Sequence, residues 1–208
     1  LAAYTWSRTR GLEGGYQDYT NIDAEIAPTA TDRPHYFVGS GVYELPFGRN
    51  RPVGSNWAGL TNALLGGWSV SPILTAVSGS PLNVTVNGNP SNSSGTDRPN
   101  VVGDWQLDHP SANAWFNTAA FVANAPFTYG NAPRNLIRGP GSFNLDISIQ
   151  KSFPISSGVS ADVRFESFNV TNAVNYGNPN TVVGDVNFGR ISTAGAARQS
   201  QIAVKLLF

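Results

Sequence analysis

Apolar and polar side chains alternate strictly between residues 142 and 168. The apolar positions of the first half are Phe143, Leu145, Ile147 and Ile149, and every residue between them is polar. The second half repeats the pattern from Val159 to Phe165. A period of two sorts side chains onto the two faces of a β-strand. Because Pro154 and Gly158 mark a turn between the halves, the stretch predicts a hairpin with strands at 142–153 and 159–168.

The same alternation predicts four more strands. They lie at 1–8, 35–45, 68–77 and 198–208. Pro72 is unfavourable in an interior strand, because proline has no N–H to donate to a neighbouring strand. Between the second and third strands, the apolar run Ala63-Leu64-Leu65 predicts a turn of helix. The pattern therefore predicts an all-β chain of about six long strands in an up-and-down antiparallel meander.

The connections between the predicted strands alternate in length. Those at 9–34, 78–141 and 172–197 are long, and those at 46–66 and 154–158 are shorter. Since successive antiparallel strands put odd and even connections at opposite ends of the sheet, one end carries all the long ones. Outer-membrane barrels have this asymmetry, with long extracellular loops, short periplasmic turns and strands of about 9–11 residues. We therefore expect a partial transmembrane β-barrel, which taken alone is an open, curved sheet.

Aromatic residues lie near both ends of the predicted strands, as at the two interfaces of a membrane. One end has Tyr43, Phe47, Trp68, Phe153 and Phe208, and the other has Tyr4, Trp6, Phe37 and Phe143. The only two lysines, Lys151 and Lys205, fall near the inner rim, where a lysine can extend its ammonium group to water. A soluble β-sandwich also alternates apolar and polar faces, so it stays open as the alternative.

Composition narrows the possible functions. The net charge is +0 and charged residues make up 12% of the 208 residues, so no basic surface indicates nucleic-acid binding. The chain has no cysteine, which excludes disulfides and thiolate chemistry. No apolar run is long enough for a transmembrane helix. Because the chain begins at Leu1 without a leader, we expect it to be a piece of a longer protein.

The hairpin sorts its charged residues onto one face. We expect Asp146, Asp162, Arg164 and Glu166 to face a water-filled lumen, and Leu145, Ile147, Val163, Phe165, Val204 and Leu206 to face lipid. Paired carboxylates can carry out acid–base catalysis, but a polar lumen explains these residues better. The two histidines, His35 and His109, lack the spacing of metal ligands. We therefore expect no enzyme activity, no cofactor and no metal site.

The long connection at 78–141 carries many aromatic residues, which predict a packed loop and not a disordered one. It is also the best candidate for ligand contact. Long loops that carry aromatic residues are often functional, and exposed tryptophan and arginine can stack on or clamp a sugar or peptide. The candidate contacts are Trp105, Trp115, Arg134 and Arg138. The same side chains can equally serve to pack the loop onto its neighbours.

Five segments together resemble the C-terminal end of large TonB-dependent outer-membrane receptors. They are RPHYFVG at 33–39, YELPFG at 43–48, LGGW at 65–68, RNLIRGPG at 134–141 and FGRI at 188–191. In particular, the chain resembles the Oar-like group, which carries a carboxypeptidase-regulatory-like domain at its N-terminus. The resemblance implies a Gram-negative outer-membrane protein. Its last strand, with Val204, Leu206 and Phe208, resembles the signal that the barrel-assembly machinery reads.

The resemblance also implies a function and partners. Such receptors carry a plug, a TonB box and a barrel of about 22 strands, so this chain resembles roughly the last quarter of one. The expected partners are outer-membrane lipid, the barrel-assembly machinery, the rest of the barrel, the plug and TonB. The expected function is uptake of an unidentified ligand such as an oligosaccharide or peptide. The alternatives are a secreted or surface β-sandwich adhesin or carbohydrate-binding module, and a passive porin.

Overall fold

Six strands of 5 to 15 residues form one antiparallel sheet in chain order in the computed structural model, which describes residues 1–208. They are β1 (Ala2–Trp6), β2 (His35–Ser40), β3 (Ser69–Val77), β4 (Ser142–Ser156), β5 (Val159–Phe168) and β6 (Gln199–Leu207). Strands β1 and β6 are the two edges and do not pair with each other. The predicted meander is confirmed, and its sheet is open.

The predicted strand at 35–45 is two pieces. β2 ends at Ser40, and pairing with β3 resumes at the short strand Tyr43–Glu44. The register is the same on both sides of the gap. Gly41 donates its N–H to the carbonyl of Pro72 at 3.3 Å, but Pro72 has no N–H to return. The interior proline is therefore tolerated where the neighbouring strand is interrupted.

The β4–β5 hairpin is tighter than predicted. β4 continues to Ser156 instead of ending at 153, and a bulge near Pro154 absorbs one residue. Only Ser157 and Gly158 remain for the turn. Gly158 has a φ of 81°, a left-handed conformation that glycine adopts without steric cost.

The strand register separates an apolar face from a polar face. Antiparallel partners project their side chains to the same side of a sheet. Val163 pairs with Val204, and the other expected lipid-facing residues fall on the same side. Asp162 pairs with Ser152 and Lys205 on the opposite side, which also carries the other expected lumen-facing residues. The register therefore places these two groups of side chains on opposite sides of the sheet.

Aromatic residues border the apolar face at both ends. At the end with the long connections, Phe37 pairs with Tyr4, and Phe143 lies in the same row of the ladder. At the other end the rings of Trp68 and Phe153 meet edge to face, with centroids 6.3 Å apart. Phe143 and Phe153 are about 33 Å apart along β4, which projects to about 25 Å for a strand tilted by about 40°. The band between them matches the apolar height of an outer-membrane barrel.

The three long connections (9–34, 78–141 and 172–197) pack together at one end of the sheet, and we call them the loop layer. They contain the main buried core: Val84, Phe116, Ala120, Phe121 and Ile137. The rings of Phe116, Phe121 and Phe188 meet edge to face at 5.2–5.9 Å. The layer contains the short strands Arg10–Gly11, Ala27–Pro28, Pro81–Leu82, Thr85–Val86, Asn100–Val101, Phe121–Val122, Ile137–Arg138 and Val182–Val183, and the 3-10 helices Ile22–Glu25 and Thr118–Ala120. These loops are therefore folded, as their aromatic content predicts.

The opposite end of the sheet carries helix α1 (Gly59–Leu65), where the sequence predicts one turn. None of the helices has the length and apolar character of a membrane-spanning helix. The expectation that Lys151 extends to water is wrong. Lys151 is buried on the apolar face beneath α1, and its Nζ donates to backbone carbonyls of residues 62, 63 and 66. Lys205 is exposed.

Candidate functional site

Three of the four predicted ligand contacts line one pocket of the loop layer. Trp105, Trp115 and Arg138 border a cavity of about 450 Å³. Asp104, Gln106 and Asp108 also line it. Aromatic faces with a few convergent polar groups are typical of small-molecule sites, and they suit the faces and hydroxyl groups of a sugar. We call this cavity the tryptophan pocket.

Hydrogen bonds and packing hold the walls of the tryptophan pocket. Trp115 donates its indole N–H to the carbonyl of Arg138 at 2.8 Å. The carbonyl of Trp105 accepts from the backbone N–H of Asn117 at 2.9 Å, and the Asn117 amide donates to the carbonyl of Asp104 at 2.8 Å. Both tryptophans pack against the buried core while their residues stay half-buried. The pocket is therefore preformed.

The two candidate arginines are engaged within the protein. Arg138 donates to the Asp32 carboxylate at 2.6 Å and to the Gly79 carbonyl at 2.7 Å. Arg134 is not among the residues of the tryptophan pocket. It donates to the carbonyls of Glu13 and Gly14, and it lies over the ring of Tyr16 at 5.9 Å. The structure thus uses both cations to attach the 78–141 connection to the 9–34 connection.

A buried ion pair joins the same two connections. Arg98 donates to both carboxylate oxygens of Glu25, at 2.7 and 2.8 Å, and the two side chains are only 4% and 0% exposed. Arg98 also donates its Nε–H to the Ala132 carbonyl. Gln17 joins the network through its side-chain oxygen, which accepts from the backbone N–H of Arg98 at 2.7 Å. No local sequence signal indicates this network, because its members are far apart in the chain.

The electrostatics of the network favour the charged carboxylates. Burial raises the pKa of Glu25, but hydrogen bonds and charge from Arg98 more than offset it, so the pKa lies below its ordinary value. The pKa of Asp32 is also lowered. Burial raises the pKa of Asp32, but the hydrogen bond from the Thr9 N–H and the hydrogen bond and charge of Arg138 lower it by more. Both carboxylates are therefore charged at neutral pH and hold their arginines.

The polar face of the sheet carries the predicted lumen residues in rows. Glu166 accepts from the Gln201 amide at 2.6 Å and from Arg164 at 3.4 Å. Asp146 lies farther towards the loop layer, where it accepts from the backbone N–H of Asn169 at 2.8 Å. No group of three or more histidine, aspartate or glutamate residues is arranged to hold a metal ion.

This sheet, with one apolar and one polar face, aromatic borders and an elaborated end, has the features of a barrel wall. The family model for an outer membrane beta barrel domain matches residues 1–201. The chain belongs to this family. No curated protein and no solved structure matches it. As an outer membrane beta barrel domain, the chain is a component of the outer membrane.

The last strand of this outer membrane beta barrel domain is an open edge. Val204 and Leu206 lie on the apolar face, and both are exposed. Phe208 follows the end of β6 and is exposed over 94% of its surface. The backbone groups along the free side of β6 have no partner strand within the chain. The residues predicted to form the assembly signal are therefore accessible.

Proposed function

We propose that the chain is the C-terminal barrel portion of a TonB-dependent outer-membrane receptor that takes up a ligand. The resemblance of five sequence segments to such receptors supports this function, and membership of the outer membrane beta barrel family agrees with it. In this function the apolar face contacts lipid, the polar face lines a water-filled lumen, and the loop layer is extracellular. The C-terminal strand is the segment that the barrel-assembly machinery reads.

The observation that supports the proposal of ligand binding is the tryptophan pocket in the folded loop layer. Two indole rings, two carboxylates and an amide border one cavity. Indole faces stack on the apolar faces of sugar rings, and carboxylate and amide groups hydrogen-bond to hydroxyls. We therefore propose an oligosaccharide as the ligand class. A peptide is the competing ligand, and the test below separates the two.

The binding test compares two tryptophan variants of the full chain. Trp105→Ala removes one wall of the pocket, whereas Trp57→Ala removes a half-buried indole from the connection at the other end of the sheet. Binding of cellohexaose, xylohexaose, maltohexaose and a tryptic casein digest is measured by calorimetry. We expect one of the sugars to bind and Trp105→Ala to weaken it about tenfold, or about 1.4 kcal/mol, with Trp57→Ala unchanged. If only the casein digest binds, the ligand class is a peptide and not an oligosaccharide. If both variants lose the same amount of affinity, the tryptophan pocket is not the binding site.

Energy coupling separates the receptor from its alternatives. A receptor requires a plug and a TonB box encoded upstream of Leu1, and its uptake stops when a protonophore removes the energy source. A passive porin needs neither and continues to conduct. A β-sandwich adhesin requires a second sheet packed on the apolar face, and this chain has no second sheet of comparable size. An upstream sequence without a plug would contradict the receptor function.

A further inference from the structure

Helix α1 is fixed to the apolar face of the sheet by its C-terminal carbonyl groups. Lys151 on β4 donates to the carbonyls of Asn62, Ala63 and Gly66. Trp68 donates its indole N–H to the carbonyl of Leu64 at 2.8 Å. A helix of seven residues is not stable by itself in water, so these bonds determine where it lies. Because Lys151 projects from the apolar face, α1 lies on that side of the sheet.

The side-chain arrangement of α1 is reversed relative to a helix packed on a protein core. Its inward side carries Asn62, whose side-chain oxygen accepts from the backbone N–H of Arg49 at 2.7 Å. Its leucines point outward and are 74%, 54% and 54% exposed at Leu60, Leu64 and Leu65. A helix in water normally buries such residues against its own protein. The outward leucines therefore indicate an apolar environment around α1.

The surroundings of α1 show which environment this is. The helix lies on the apolar face of an outer membrane beta barrel domain. Trp68 and Phe153 lie beside it, and the Lys151 ammonium group is 4.8 Å from the centre of the Phe153 ring. Tyr43 and Phe47 are exposed at the same end of the strands. Aromatic residues with a short amphipathic helix are typical of the boundary between headgroups and acyl chains.

We infer that α1 is an interfacial anchor that inserts its leucines into the phospholipid layer at the end of the barrel opposite the loop layer. Lys151 is its positioning residue, because it satisfies the terminal carbonyls where water is scarce. The anchor fixes the depth of the strands in the bilayer. This inference rests on the proposed lipid contact of the apolar face and does not depend on what the protein transports.

Single-cysteine labelling tests the anchor directly, because the chain has no native cysteine. Leu64→Cys reports on α1, Ile147→Cys on the apolar face of the sheet, and Ser55→Cys on an exposed polar position in the same connection as α1. Each full-length variant is labelled with bimane and reconstituted into dioleoylphosphatidylcholine vesicles. Some vesicles carry a nitroxide near the carboxyl end of the acyl chain and others carry it near the methyl end.

The inference predicts that the nitroxide near the carboxyl end quenches the Leu64 label at least about twofold more than the Ser55 label, since an interfacial helix lies about 5–10 Å into the boundary. The Ile147 label should be quenched more by the deeper nitroxide. If only the Ile147 label is quenched, α1 is not an anchor although the sheet contacts lipid. If neither label is quenched, the lipid contact of the sheet fails as well. A blue-shifted Leu64 label without lipid quenching would mean a protein contact and would also overturn the anchor.

Discussion

Arg98 has all three of its guanidinium nitrogens hydrogen-bonded within the loop layer. It reaches Glu25 and Ala132, and through them it joins segments that are far apart in the chain. Breaking one partner of such a buried pair leaves an uncompensated charge, which costs more than the pair itself contributes. Gly130 lies against the same site, since a Cβ there would be 2.0 Å from the carbonyl of Arg98. Single residues of this network therefore determine whether the 9–34 and 78–141 connections stay together.

Glu25→Gln tests the network at the residue scale. The variant leaves Arg98 buried without a counter-charge, so we expect the loop layer to lose about 3–5 kcal/mol of stability against opening. Hydrogen exchange of the amides in 9–34 and 78–141 measures the loss. Asp23→Asn is the matched control, because Asp23 is an exposed acid of the same short helix. The control should change the stability by less than about 0.5 kcal/mol. Equal protection in Glu25→Gln and the parent protein would contradict the role of the pair.

Acid should loosen the loop layer, because the pKa values of Glu25 and Asp32 are lower in the folded protein than their ordinary values of 4.5 and 3.8. A lowered pKa gives stability that is fully present above the ordinary value and is lost as the pH falls through the folded value. We therefore expect the fluorescence of Trp105 and Trp115 to shift to the red only below the ordinary carboxylate values. The shift should be smaller in Glu25→Gln. A loop layer that loosens between neutrality and the ordinary values would contradict this account.

At the scale of elements, β4, β5 and β6 have a fixed register that leaves one side apolar and the other polar. A slip of one residue would reverse every side chain, and Lys205 would then leave the side of Asp162. The bulge near Pro154 changes the end of β4 without changing this register over the rest of the hairpin. The division of side chains between the two faces is therefore unchanged by local irregularities that move the strand ends.

Arginine substitution on the two faces tests this assignment. Ile202→Arg places a charge on the apolar face in the row of Ile149, near the middle of the band, and if that face contacts lipid it should cost about 2–4 kcal/mol of folding free energy. Ser148→Arg on the polar face should cost much less, because water is available there. Urea titration of both variants refolded in phosphatidylcholine vesicles measures the difference. Comparable losses in the two variants would show that the faces are assigned wrongly.

At the scale of the whole molecule, the buried side chains are distributed unusually. The buried apolar core lies in the loop layer, while the sheet has no second sheet against either face. The free edges of β1 and β6 expose backbone groups that need partners in lipid. The sheet also has fewer strands than the about eight of the smallest single-chain barrels. The sheet is therefore open, and we propose that it closes into a barrel only with further strands.

We predict that the 208 residues alone do not form a conducting monomer. An open sheet leaves unpaired N–H and carbonyl groups at both edges, each costing several kcal/mol in hydrocarbon. Planar-bilayer recordings of the purified chain, with its mass in detergent measured by light scattering, test this. We expect either no channels or channels only from oligomers that pair at their edges. A conducting monomer in which β1 hydrogen-bonds to β6 would contradict the open-sheet architecture.

The sequence by itself determined the strands, their order and their two faces. Successive side chains of a β-strand point to opposite faces, so an alternating sequence is sufficient to predict both the strand and its faces. It also indicated the helical turn at 63–65 and the packed nature of the aromatic loops. It placed Trp105, Trp115 and Arg138 in one candidate site, and the structure gathers them around one pocket.

Only the tertiary structure decided what the charged side chains contact. In the sequence, Arg134 and Arg138 look available for a ligand. In the structure they join two connections instead. The sequence does not reveal this, because their acceptors Gly14 and Asp32 lie 120 and 106 residues away along the chain. The pair of Glu25 with Arg98 and the burial of Lys151 beneath α1 have the same origin. A local pattern indicates which way a side chain points from its strand. Its partners depend on which distant segments the fold brings together.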